Sequence, residues 1–306
     1  MISFAAFMGA IELGMIYSIL ALGVFLSFRT LNTPDLTVDG SIVTGAAASA
    51  MICSIGGNPL IALLVAFILG SLAGVVTALL NTKLKIQPLL SGILVMLGIY
   101  SINLRIMGNR SNIALTKNET IYKMAKDFLP SSYSSLIVGT FLLILISILM
   151  FFFLKTRLGF ALRATGDNED MVRASGINSD HMKIMGLSLS NGLVGLSGGM
   201  LAQYQSYADI GMGVGMVVIG LASVIIGEAV FGAKSLFKRL IAVGMGAILY
   251  RLIIAIALNF GMPANDLKLV SAIIVTFALA LGNIGDRLSF KGFEKILSRL
   301  QQKAGE

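Results

Sequence analysis

The chain has 306 residues; 56% are hydrophobic, only 12% are charged, and the mean hydropathy is +0.89. A soluble domain carries about 25% charged residues, so this chain lacks the polar surface for a water-soluble globule, and it is too apolar to be disordered; its solvent is the bilayer. The net charge of +8 does not indicate nucleic acid, because no basic stripe is interleaved with exposed aromatics; Lys and Arg are instead expected in cytoplasmic loops and against anionic lipid headgroups.

A membrane helix needs about 20 apolar residues to cross the hydrocarbon core. In chain order the candidate spans are 4–28, 41–55, 59–80, 87–107, 135–155, 184–204, 212–232, 237–259 and 267–284. The expected fold is an all-α polytopic membrane protein, a bundle of about 8–10 transmembrane helices in a single domain over 1–306. Residues 1–28 have no basic n-region and run too long for a cleavable signal peptide, so they read as the first span. Residues 29–40 (RTLNTPDLTVDG) interrupt the first two spans with Pro34 and two acids. Such a break is tolerated inside a membrane only where it is buried in protein or lines a cavity. Two long connections follow, at 108–134 and 156–183.

The Lys and Arg distribution orients the bundle. With an external N-terminus and strict alternation, sixteen Lys and Arg fall inside, six outside, and Arg251 lies within a span. That bias places the C-terminus in the cytoplasm, puts 108–134 outside and 156–183 inside, and leaves 285–306 as an amphipathic segment on the inner surface, with a solvated tail as the alternative. Glycine pairs four apart, Gly70 and Gly74, Gly195 and Gly199, Gly211 and Gly215, suit closely packed membrane helices.

No enzyme constellation is present. There is no H-E-x-x-H, no G-x-S-x-G and no pair of cysteines; Cys53 stands alone, and His181 has no partner at metal-ligand spacing. Gly227–Ser235 (GEAVFGAKS) approaches a phosphate-binding loop, but Ala233 separates the second glycine from Lys234 and a membrane helix precedes it instead of a strand. The chain is therefore not expected to bind a nucleotide, a metal or any cofactor of its own.

Polar groups inside the apolar runs remain. A buried ion costs at least ~2.5–3.5 kcal/mol on insertion scales, so it faces a cavity or a partner. Glu12, Asn191, Gln203, Glu228 and Arg251 are intramembrane polar residues of this kind, and Glu228 is expected to pair with Arg251 on the next helix. Asn32, Thr33, Asp35, Thr37 and Asp39 are candidates for a translocation pathway, because a Pro-interrupted helix frees backbone amides and carbonyls for a substrate. In the inner connection, Asn168, Glu169 and Asp170 begin a short helix through Ala174, and Gly176 stops it. Acids in its first turn suit the helix dipole. Such a helix can dock in a groove on a partner.

That connection carries Ala164, Gly166 and Asn168, then Ala174, Ser175, Gly176, Ile177 and Asn178; the chain start carries Gly14–Gly23 (GMIYSILALG), and the break carries Pro34–Gly40 (PDLTVDG). Over nearly its whole length the chain resembles the permease subunits of ABC transporters, in the branched-chain amino acid and ribose permease family, and within it the subgroup serving aromatic amino acids. The resemblance implies a pore of two permease chains, a homodimer; separate cytoplasmic ATPases that bind ATP and Mg; and an extracellular solute-binding lipoprotein. It implies that Gly166, Asp167, Asn168, Glu169, Asp170, Arg173 and Gly176 couple to the ATPase. It places the chain in the bacterial plasma membrane as part of an importer of a small organic solute, an amino acid. An ion-coupled transporter working without an ATPase, built on Asp35, Asp39 and Glu228, is the alternative reading of the same residues, and a purely structural membrane subunit is a third.

Overall fold

The computed structural model describes residues 4–128, 133–232, 235–263, 266, 269–273 and 276. Helix α1 (Phe4–Val24) runs straight into π-helical turns over Phe25–Thr30. Then come α2 (Thr37–Ser54), α3 (Pro59–Thr82), α4 (Pro88–Ile106), β1 (Asn112–Ala114), α5 (Ile121–Phe128), α6 (Ser134–Lys155), α7 (Arg157–Asp167), α8 (Glu169–Ala174), α9 (Ser179–Gln205), β2 (Tyr207–Asp209), α10 (Met216–Phe231) and α11 (Leu236–Asn259). Six of the helices are long and apolar enough to cross a membrane: α1 with its π extension, α3, α4, α6, α9 and α11. Helices α2 and α10 are shorter. Together these account for eight of the expected spans; of 267–284 only 269–273 and 276 are described, and 285–306 lies outside the described residues.

Local chemistry sets the helix starts. Asn58 accepts the Leu60 N–H at 2.8 Å with Pro59 at the first helical position of α3, and Pro88 takes that position in α4 without a side-chain cap from Gln87. The long connections are more ordered than the sequence suggests. The connection 108–134 contains β1 and α5; the connection 156–183 is almost wholly α7, α8 and the first turn of α9. β1 and β2 pair antiparallel, Ile113 opposite Ala208.

Helix α1 forms the axis of the bundle. Every residue from Gly14 to Val24 is buried, against α9, α10, α11 and α6. Helix α9 lies between α2 and α3 with almost no side chain intervening. A methyl group on Gly195 would stand 2.5 Å from the Ala66 carbonyl oxygen, and one on Gly45 would stand 1.8 Å from that of Gly195. Small residues thus bring three backbones into contact, as two of the three glycine pairs predict. The third pair, Gly211 and Gly215, is not helical at all. Lipid-facing stripes recur at helical spacing: Ile61, Leu64, Ile68 and Leu72 on α3, and Phe141, Leu145, Ile148 and Phe152 on α6 are exposed.

One end of the bundle gathers α7, α8, the α3–α4 turn and the start of α11. The opposite end gathers β1, β2 and α5.

Candidate functional site

The first helix break is shorter than its sequence. The π-helical turns carry α1 on to Thr30, and α2 begins at Thr37, so the interruption is Leu31–Leu36. Asn32, with φ +50°, turns the chain and is exposed; the Thr33 N–H donates to the Ser27 carbonyl at 2.9 Å and its hydroxyl to that of Leu31 at 3.1 Å. Asp35 is 1% exposed. One of its oxygens accepts the Thr37 N–H at 2.8 Å and starts α2; the other accepts the Asn191 side-chain N–H of α9 at 2.6 Å. Ser41 donates to Asn191 Oδ1 at 2.7 Å, and the Thr37 and Thr77 hydroxyls bond at 2.6 Å. Asp35, Thr37, Ser41, Thr77 and Asn191 are therefore one closed knot between α2, α3 and α9. Gly92 of α4 covers it: a methyl group there would stand 2.7 Å from Leu36 N. Charge-assisted bonds make such burial tolerable.

The expected span 212–232 is itself broken. Residues 207–209 form β2, Ile210–Gly215 turn inward, and α10 begins only at Met216. Its sixteen residues cover about 24 Å, less than the ~30 Å hydrocarbon core. Its start is held by a residue of another helix. Asp39, in the first turn of α2, accepts the Gly215 N–H at 2.9 Å and the Val217 N–H at 2.8 Å. Gly215 has φ +87°, and a methyl group on Gly213 would stand 1.9 Å from the Asp39 carbonyl oxygen. Asp39 lies fifteen residues before Ser54, roughly 22 Å from that end of α2, so this cap lies deep within the bundle. An N-terminus otherwise leaves unpaired donors and a positive dipole end, and one carboxylate answers both.

The other intramembrane residues separate. Gln203 accepts the Ile121 N–H at 2.8 Å and donates to Ser49 and to the Pro59 carbonyl, each at 3.0 Å, pinning α5, α2 and α3 to α9. Glu12 accepts from the Tyr204 hydroxyl at 2.7 Å. Glu228 does not pair with Arg251; its partner is Arg29, at 3.2 Å, and Arg251 stands over the Tyr17 ring at 4.6 Å. The register of the antiparallel helices α10 and α11 explains this. Gly227 lies against Ala242 and Gly246 against Ser223, so Glu228 is level with residue 241, about 15 Å along the axis from Arg251.

At the other end, the short helix α8 is built as its sequence predicts. Asn168 Oδ1 accepts the Met171 N–H at 2.9 Å, Gly176 at φ +79° ends the helix, and Asn178 Oδ1 accepts the His181 N–H at 3.2 Å to start α9. Its candidate residues divide into two sets. Gly166 belongs to packing: a methyl group there would stand 2.0 Å from the Thr30 carbonyl oxygen. Glu169 turns back onto α9, with Lys183 at 2.6 Å, Arg173 at 2.7 Å and the Ser179 hydroxyl at 3.1 Å. Arg173 reaches Asp180 at 3.3 Å as well. Partial burial pulls the Glu169 pKa up, but the hydrogen-bonded Lys183 ammonium, with Ser179 and Arg173, outweighs it and holds the carboxyl below its ordinary value. Asp167, Asn168, Asp170 and Gly176 stay exposed, and beside them stand Met171 and Ile177, 53% and 38% exposed. Sequence reasoning did not single out these two apolar side chains; their signal is an apolar residue in a polar, capped segment. A polar cleft of about 390 Å³ separates α8 from the α3–α4 turn, with Lys85 and Gln87 on one wall and Glu169, Arg173 and Asp180 on the other.

Among the described residues no group of three or more His, Cys, Asp or Glu is gathered as a metal site. The arrangement binds helices to one another; it leaves a short capped helix with exposed apolar side chains at one end and two helix starts, those of α2 and α10, in the interior.

Comparison with known proteins agrees with this architecture. The family model described as the permease component of the branched-chain amino acid transport system matches residues 7–279. The tyrosine transport system permease protein of Clostridioides difficile is 40% identical over 94% of this chain and 95% of its own length. The ribose import permease protein of Escherichia coli K12 is 27% identical over 87% and 82%, and the fructose import permease protein of Bifidobacterium longum 25% over 85% and 72%. No solved structure matches the chain. With a family model covering most of its length and a relative at 40% identity, the chain belongs to the branched-chain amino acid permease family of ABC transport systems.

Proposed function

We propose that this chain is the membrane-spanning subunit of an ATP-driven importer of an amino acid, with an aromatic side chain as its preferred class. The higher identity to a tyrosine permease than to the sugar permeases supports that class. A separate ATPase binds ATP and Mg, an extracellular lipoprotein delivers the solute, and a second copy of the chain completes the pore in the bacterial plasma membrane. The α7–α8 end and the C-terminus face the cytoplasm.

The observation that carries the coupling role is the division of labour on α8. Met171 and Ile177 are exposed to a partner, and Glu169 and Arg173 clamp the same helix to α9. A displacement of α8 by the ATPase is thereby passed to α9. Helix α9 carries Asn191, which grips Asp35 at the first break; α2 carries Asp39, which grips the start of α10. Each link is a contact between packed elements, as mechanical coupling requires. The bundle can therefore rock about its two breaks.

The test is reconstitution of the chain with its ATPase and loaded binding protein. Met171→Asp places a charge in the docking contact; uptake falls about tenfold or more, and the ATPase no longer co-purifies, as loss of an interface anchor requires. Full uptake by this variant, folded and inserted, would remove α8 as the coupling element.

A further inference from the structure

Among the described residues Arg251 is an intramembrane charge without an ion pair. Helix α11 carries it eight residues before Asn259, about 12 Å from that end. Glu228 is engaged by Arg29, Asp35 by Asn191, and Asp39 by the start of α10. Glu12 stands at the height of Arg251, because a methyl group on Gly14 would stand 2.8 Å from Ile248 Cα and the Ser18 hydroxyl donates to the Gly244 carbonyl at 2.8 Å. It leaves α1 about 140° round from Tyr17, however, and the Tyr204 hydroxyl donates to it. An arginine that faces lipid turns its head to the nearer membrane surface. Arg251 instead lays its guanidinium on the ring of Tyr17, a 4% exposed residue whose backbone is level with Met245, deeper in the bundle.

The shortness of α10 leaves room there. Tyr17, Leu20 and Val24 share one face of α1. Helix α10 covers the last two, since a methyl group on Gly220 would stand 2.6 Å from the Val24 side chain and 2.9 Å from that of Leu20. It begins only at Met216, at about the level of residue 18 of α1, so the Tyr17 ring and the guanidinium on it lie beyond its start. A methyl group on Gly215, at that start, would meet nothing within 4 Å. The Gly215 and Val217 N–H groups already donate to Asp39, which leaves Arg251 as the donor for an anion. Its planar fork matches a carboxylate, and the Tyr17, Tyr204 and Tyr250 hydroxyls lie within reach of its charge. Tyrosines pair an apolar ring with a polar tip, so a carboxylate on an aromatic body suits both parts of the surround. Resting on the importer reading above, we propose that Arg251 is a specificity-determining residue of this subunit: it pairs with the solute's carboxylate as the solute passes the start of α10, and the tyrosine rings border the solute's side chain.

The experiment has two arms. In the first, the full transporter is reconstituted with its ATPase, and uptake is measured against the concentration of binding protein loaded with L-phenylalanine. Arg251→Gln lowers the maximal rate about tenfold and leaves the KM for loaded binding protein unchanged; Arg251→Lys keeps the charge, loses the fork and falls between. In the second, the native chain is modified with phenylglyoxal, and Arg251 is followed by peptide mass spectrometry. L-Phenylalanine slows its modification at least about threefold, and phenethylamine, which lacks the carboxylate, does not. This arm keeps the native residue, so it answers for a glutamine variant that fails to fold. Full uptake by Arg251→Gln, or equal modification in the presence of the two compounds, overturns the assignment. A raised KM with the maximal rate unchanged moves Arg251 to the docking of the binding protein and overturns it as well. A native transporter that imports no amino acid defeats the importer reading itself, an outcome separate from any behaviour of the Arg251 variants.

Discussion

The two helix breaks meet the same demand in different ways. At the first, Asp35 caps its own helix two residues on and is then tied to Asn191. At the second, no side chain of α10 caps its start, and Asp39 of α2 supplies both acceptors. The first break is a local device reinforced by packing; the second exists only when α2 and α10 are docked. Separating α2 from α10 would uncap the second helix start and leave the first one capped.

The comparison can be broken by removing each acid. Asp35→Ala leaves the Thr37 N–H and one N–H of the Asn191 amide buried without an acceptor, and we expect the largest loss, about 3 kcal/mol, seen as a fall in the unfolding temperature in detergent across the whole bundle. Asp39→Ala removes two bonds at one helix start and should cost about 2 kcal/mol, the upper range for a cap. Its signature is local: amide exchange rises at Gly215–Val218 and stays unchanged around Asn191. A global loss of protection in the Asp39 variant would erase the distinction between the breaks.

Glu169 extends the comparison to a carboxylate outside the membrane. Its pKa is held below the ordinary glutamate value, so its contribution is fully present above that ordinary value and is lost as the pH falls through the lower, folded-state one. Amide protection of α8 should therefore be constant at neutral pH and decline below about pH 4; protection that declines between pH 8 and 6 would point to another group. The smallest effect belongs to the pair at the end of α10, where the Arg29 side chain is more than half exposed. Glu228→Gln and Arg29→Gln should each change stability by less than about 1 kcal/mol. A double-mutant cycle should find coupling between Arg29 and Glu228 and none between Glu228 and Arg251.

Much of the α7–α8 end was legible residue by residue. Asn168, Gly176 and Asn178 are caps whose chemistry acts within three residues, so α8 follows from its own sequence. What was not legible there was direction: Glu169 reads as an acid available to a partner, but helix α9 takes it, and Met171 and Ile177 are the side chains left exposed. Gly166 likewise reads as part of the docking segment and is used for packing against Thr30.

Local sequence therefore determined the apolar spans, the position of the first break, the short capped helix and the charge bias between the two ends. These depend on hydropathy, on proline and glycine, and on caps reaching one turn. Tertiary structure alone decided that α10 begins in mid-bundle, that Asp39 caps it, and that Glu228 meets Arg29. The reason is that an all-round apolar helix does not encode its own rotation or depth; those are set by where glycines let neighbouring backbones close, and only then do acids and donors on different helices come level.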